Sequence, residues 1–294
     1  MKILFFFYLL VSQTLAIGTA FLKVPIMTKS LSLAGSGIAF VNNPSLFRLN
    51  PALLYTDQNK TNAFFSYNSW LFNTKGHSLI IVQPYKNKFT FGFALRSLNL
   101  NKLEFRNDIP SLEPLSYFSN NGTSFEFVFS TRKNKYQFGS SIKYISMESY
   151  IYKSYGIATD LGLVYILNDD NLSFGASIIN FGLMNEFQSN VPKLPIKGSM
   201  GFMFKPKVKN KNITITNLAS LGLYNSGNIV YSIGNQFSIK NFHLISGLNF
   251  EKENFSISGG FEIEKSSLSI SYGFNFSNHN LGTPHIFQIK LIIP

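Results

Sequence analysis

The sequence predicts an all-β protein: a transmembrane antiparallel β-barrel of about 14 strands, with an N-terminal hatch or plug segment that the barrel encloses. Three observations carry this expectation. After Thr61 the apolar residues recur with period two, as in Phe89, Phe91, Phe93 and Leu95 against Thr90, Gly92, Ala94 and Arg96, which puts one set on each face of a strand. One face is bulky and apolar, whereas the other is rich in Gly, Ser and Asn; only 14% of residues are charged, too few for a water-facing sheet surface. No stretch approaches the roughly 18 consecutive apolar residues of a membrane helix, so any span must be made of strands.

The chain opens with a leader pattern: Lys2 as the positive residue, an apolar run from Ile3 to Val11 and the small-residue site Thr14-Leu15-Ala16. Residues 1–16 are therefore expected to be a signal peptide, and the mature protein to be exported. Residues 17–60 form the next unit. Between Phe21 and Leu54 this stretch is apolar but interrupted by Gly35, Gly37, Pro44 and Pro51, so neither one helix nor one strand fits it. An irregular apolar segment needs an enclosure, and a closed sheet supplies one.

The barrel is expected over 61–294, with strands near 61–70, 76–84, 88–98, 123–131, 134–146, 154–167, 171–180, 194–204, 211–222, 229–239, 241–250, 254–263, 266–276 and 284–292. Long and short connections mostly alternate, as expected when one end of a barrel faces the cell exterior and the other carries short turns. Trp70, Tyr85, Tyr117, Tyr150 and Tyr152 fall near strand ends, where membrane interfaces favour aromatic rings. The connection from Asn99 to Gly122 is the longest and is the partner-contact candidate.

The formal net charge of +12 raises the question of nucleic acid, but the lysines are scattered through turns without interleaved base-stacking aromatics. No nucleic-acid partner is expected. Basic loops beside a membrane would instead attract anionic lipid head groups. Cysteine is absent, and the four histidines, His77, His243, His279 and His285, have no metal-ligand spacing. No nucleophile-elbow or phosphate-loop motif occurs, so no enzyme activity, metal or cofactor is expected.

The run FLKVPIMTKSLSLAGSGIAFVNNPSLFRLNPALL, with its Gly-rich turn and Asn50-Pro51-Ala52, resembles the N-terminal signature of the PorV/PorQ family of outer-membrane barrels. A second match joins SYGIATDLGLVY (154–165), LSFGASIINFGLMNEF (172–187) and LPIKGSMGFMF (194–204), and the Met147 to Tyr150 spacing before Asp160 looks closer to the PorQ branch. The chain departs from the family in having Thr28-Lys29 where Ala-Arg is usual, and in ending Ile293-Pro294 rather than on an aromatic residue. The resemblance implies a fourteen-stranded barrel in the outer membrane and an accessory role in type IX protein secretion, with secretion components and their cargo as partners. The alternative that it implies is passage of hydrophobic small molecules, as in the related FadL-type transporters, with an apolar ligand in the lumen and the N-terminal segment as a hatch.

The hatch or gating candidates are Gly35, Gly37, Asn50, Pro51 and Ala52: glycine permits close approach to a wall, and Pro51 ends any helix begun at 45–49. Asp160 lies on the small-residue face between Thr159 and Leu161 and would point inward. A buried carboxylate needs a counter-charge, and Lys143 or Lys197 is the expected partner.

Overall fold

The structure is a computed structural model that describes residues 19–86, 88–106, 112–167, 171–210, 212–252, 254–278 and 282–293; the expected leader, 1–16, lies outside them. Fourteen antiparallel strands form one closed barrel: β1 Thr61–Ser69, β2 Lys75–Tyr85, β3 Phe89–Phe105, β4 Ser116–Lys133, β5 Tyr136–Ser149, β6 Tyr152–Leu167, β7 Leu172–Met184, β8 Lys197–Phe204, β9 Ile213–Tyr224, β10 Ile229–Ile239, β11 Phe242–Glu251, β12 Asn254–Lys265, β13 Leu268–Ser277 and β14 His285–Ile293. Closure comes from β1 pairing with β14, from Thr61 opposite Ile293 to Ser69 opposite His285. It leaves no unpaired sheet edge around the ring, which a strand protein in lipid requires.

The period-two pattern explains which way the sheet faces. Phe93, Leu95, Phe125, Ile142, Ile157, Phe202 and Ile233 are exposed on the outside, while their neighbours Ala94, Arg96, Ser124, Glu126, Ser141 and Lys143 are buried. A soluble protein would bury the first set. A continuous belt of exposed bulky apolar groups is stable only against hydrocarbon, so this barrel spans a membrane.

The two ends differ. One carries the short connections 86–88, 134–135, 240–241 and 266–267 and one longer one, 205–212. The other carries the long 106–115, 185–196 and 278–284 but also two-residue turns, at 252–253 and, because β5 and β6 extend through most of the expected 147–153 connection, at 150–151. The expected long loop from Asn99 to Gly122 is mostly strand: β3 and β4 stay paired up to Phe105 opposite Ser116, past an irregularity between Leu100 and Leu103. Apolar alternation fades there because this hairpin rises beyond the apolar belt, so its outward positions become Asn, Ser and Thr. Rings brace its end, with Phe105 stacked on Tyr150 at 5.5 Å and Phe118 edge-on to the same tyrosine at 5.9 Å. What remains of the partner-contact candidate is 106–115, of which 107–111 lie outside the described residues.

Residues 19–56 lie inside the ring and supply much of its core. Helix α1 (Thr28–Ser32) and three short 3-10 turns, at Thr19–Lys23, Pro44–Leu46 and Pro51–Leu54, are the regular parts. Leu33, Val41, Leu46 and Leu53 pack on Val164, Met203, Leu218 and Ile245 of the wall, and Ile26, Met27, Phe47 and Leu54 pack on Ile80, Val82 and Val128. Burying such side chains contributes roughly 1.5–3 kcal/mol each.

Candidate functional site

The N-terminal segment bonds to itself through short-range turns, such as Leu33 N–H to the Lys29 carbonyl and Leu53 N–H to the Asn50 carbonyl, which leave several carbonyls, such as those of Ile26 and Leu49, to find partners elsewhere. The wall provides them. Ser66 donates to the Ile26 carbonyl at 2.6 Å, Ser173 to Ala39 at 2.6 Å, Ser177 to Leu49 at 2.7 Å and Ser130 to Ala52 at 2.9 Å, while the Thr28 and Ser271 hydroxyls meet at 2.7 Å. The serine-rich inner face is thus a set of donors matched to an irregular chain.

Asn50 and Pro51 fix the lower part of this segment. The Asn50 amide donates to the Ile38 carbonyl at 2.9 Å and to the Leu163 carbonyl of β6 at 3.1 Å, and its oxygen accepts from the Ala52 N–H at 3.1 Å. Asn50 therefore caps the turn that Pro51 opens, so Pro51 starts a helical turn rather than merely ending one, as its fixed φ and missing N–H allow. Ala52 is wholly buried against the wall. The strands make room: a Cβ on Gly139 would lie 2.2 Å from the Pro51 backbone, and one on Gly162 would lie 2.0 Å from the Asn50 side-chain oxygen. Gly35, at φ +80°, follows Ala34 at φ 51° and reverses the chain after α1. Gly37 lies against Leu46, where a Cβ would come within 2.8 Å.

Above this layer sits a buried charge network. Lys143 Nζ lies 2.6 Å from Asp160 and 3.9 Å from Glu126, and Arg48 of the inner segment lies 3.2 Å from Glu126. Asp160 also accepts from the Ser141 hydroxyl at 2.9 Å and the Asn180 N–H at 2.7 Å. Lys197 is not part of this network; it sits with its ammonium 5.2 Å from the Tyr224 ring. Arg96, 1% exposed, donates to the Val24 carbonyl at 3.2 Å and lies 5.1 Å from the Phe21 ring. Lys29 pairs with Glu262 at 2.9 Å. No motif in the sequence marks Arg48, Arg96, Glu126 or Glu262 as members of this inner charge set. Strand parity marks three of them, since Arg96, Glu126 and Glu262 each alternate with bulky outward residues, whereas nothing in the irregular segment marks Arg48.

Cavities lie beside this segment. One, of about 320 Å³, lies over the inner segment between Val24, Ile26, Leu31 and Leu49 and also meets Lys143 and Lys197. Another, of about 660 Å³, lies between Phe21, Val24, Trp70, Leu98, Met147 and Phe187 towards the long-connection end. The first reaches Ile179, where the ladder between β7 and β8 stops; Asn180, at φ 61°, turns its amide to the Pro195 carbonyl at 3.2 Å instead.

A toluene transporter of Pseudomonas putida, TodX, superposes with a TM-score of 0.65 at 12% identity, over 90% of this chain and 96% of that one. A FadL homologue from Pseudomonas aeruginosa gives 0.63 at 10% identity, over 92% and 98%. The fold is that of the FadL-type barrel. No family model and no curated protein sequence matches the chain, so the PorV/PorQ resemblance stands on its motifs alone. A closed fourteen-strand barrel with an outward apolar belt belongs in the outer membrane.

Proposed function

We propose that this protein carries hydrophobic small molecules across the outer membrane, and that the segment 21–54 is the hatch of the route. The observation that carries the reading is the pair of cavities against that segment, walled by apolar Val24, Ile26, Leu31, Trp70 and Met147 together with charged Lys23, Lys143, Lys197 and Glu148, inside a barrel whose short-turn end the segment fills. The FadL-type fold supports it, because a toluene transporter and a FadL homologue share this architecture across nearly their whole length. An apolar molecule entering from the long-connection end meets Phe21, Trp70 and Met147 first, then the Arg48, Glu126, Lys143 and Asp160 network, and below it the layer held by Asn50 and the wall serines. The role in type IX secretion has only the sequence motifs behind it, whereas the cavities and the FadL-type fold support transport.

The test is uptake of an apolar fluorescent probe, N-phenylnaphthylamine, into vesicles containing the mature protein. Wild type should accelerate uptake over empty vesicles, and deleting 21–54 should raise it further or make it unselective. Uptake equal to that of empty vesicles in both cases would remove the proposal.

A further inference from the structure

The charge of the chain is unevenly placed. Lys86 and Lys88 in the β2–β3 turn, Lys133 and Lys135 around the β4–β5 turn, and Lys207 and Lys209 between β8 and β9 are all exposed at the short-turn end. The turns β10–β11 and β12–β13 add Lys240 and Lys265, and Lys60 precedes β1. The acids at this rim among the described residues are Asp57, which lies 3.6 Å from Arg132, and the half-exposed Glu264, which is held by Lys290 at 3.4 Å and His243 at 3.7 Å. The β6–β7 connection carries Asp169 and Asp170 in sequence, and 168–170 lie outside the described residues. At the opposite end cations and acids are interspersed and partly paired, as in Arg106 with Glu104 at 2.7 Å and Lys153 with Glu148 at 3.3 Å.

We propose that the short-turn rim is a binding surface for anionic phospholipid head groups of the adjoining leaflet. Two features favour lipid over an acidic protein. The lysines follow the perimeter, recurring in five of the strand-to-strand turns, rather than gathering on one flank where a folded partner could dock. They also alternate with exposed rings at the same level: Tyr85, Phe89, Tyr136 and Phe242 lie within two residues of a rim lysine, and the Lys86 ammonium sits 5.1 Å from the Tyr85 ring. Rings at the edge of the hydrocarbon with ammonium groups just beyond are placed to meet the glycerol and phosphate layers in turn. This inference rests on the membrane span and not on transport, so either can fail alone.

The test is native mass spectrometry of the mature protein in detergent with an equimolar mixture of phosphatidylglycerol and phosphatidylethanolamine bearing identical acyl chains. Bound phosphatidylglycerol should exceed phosphatidylethanolamine about five-fold, the ratio that about 1 kcal/mol per lysine corresponds to, and the ratio should shrink at high salt. Converting the six lysines of the β2–β3, β4–β5 and β8–β9 turns to Gln should bring it towards one. Lys75→Gln, Lys102→Gln, Lys153→Gln and Lys252→Gln together, at the other end, should leave it unchanged. Retention of the cooperative heat-dependent gel shift shows that a variant is folded, and the pair Lys86→Gln and Lys88→Gln serves if the six-fold variant is not. A ratio near one in wild type, or one indifferent to the rim lysines, overturns the proposal. So does tighter binding of soluble polyglutamate than of phosphatidylglycerol, which would assign the rim to an acidic macromolecule.

Discussion

Replacing Asn50 with Ala should loosen the inner segment without opening the barrel. The side chain has no solvent exposure and makes three hydrogen bonds, to Ile38 and Leu163 carbonyls and from the Ala52 N–H. Alanine removes all three and leaves two carbonyls and one N–H without that partner. At about 1 kcal/mol for each bond, with more where the orphaned group stays dry, the loss is about 3 kcal/mol. That corresponds to a rise of roughly a hundred-fold in the fraction of molecules with the segment detached. Hydrogen exchange reads this directly, because the Leu53 N–H is bonded at 2.9 Å to the Asn50 carbonyl. Leu53 should exchange about two orders of magnitude faster, while amides in the β5–β6 ladder keep their protection. Asn50→Asp should be worse than Ala, since it presents a carboxylate to two carbonyls. Unchanged protection at Leu53, or equal loss in segment and strands, would refute the idea that this side chain holds a separable element.

Other outcomes follow from the same contacts. Gly139→Leu should expel the Asn50-Pro51-Ala52 turn, because even a Cβ would lie 2.2 Å from its backbone; protease cleavage within 50–56 should become rapid while the barrel stays heat-modifiable on a gel. Asp160→Asn should lower stability against urea in lipid vesicles by about 3–5 kcal/mol, since the buried Lys143 loses its partner at 2.6 Å, and the double change Lys143→Met with Asp160→Leu should recover much of that loss. Phe93→Lys, on the exposed outward face, should cost about 2–4 kcal/mol in the same assay if that face meets hydrocarbon, whereas a cost near zero would contradict the membrane span.

The strands were readable because lipid on one side and a crowded lumen on the other impose a strict alternation on every crossing. That signal lapses where the environment does. Beyond Leu98 the β3–β4 hairpin leaves the apolar belt, so Asn, Ser and Thr take outward positions and resemble a loop. The register shift on β7 at Asn180 swaps the parity that places Phe181 and Leu183 outward. The course of the inner segment had no such pattern, because its contacts are to wall serines and glycines distant in sequence, such as Ser173 with Ala39. Asp160 could be placed facing inward by parity, but choosing between Lys143 and Lys197 required knowing which strand lies beside β6, and Lys143 sits on β5, its direct neighbour.

Whether the inner segment must move is tested most directly by tying it to the wall. Thr28 and Ser271 place their hydroxyls 2.7 Å apart, and the chain has no cysteine of its own, so Thr28→Cys with Ser271→Cys gives a single pair able to close. In vesicles, the oxidised pair should take up the apolar probe no faster than empty vesicles, and reduction should restore the wild-type rate. Uptake equally fast in the oxidised and reduced forms would contradict a hatch and leave the segment as a fixed part of the lumen.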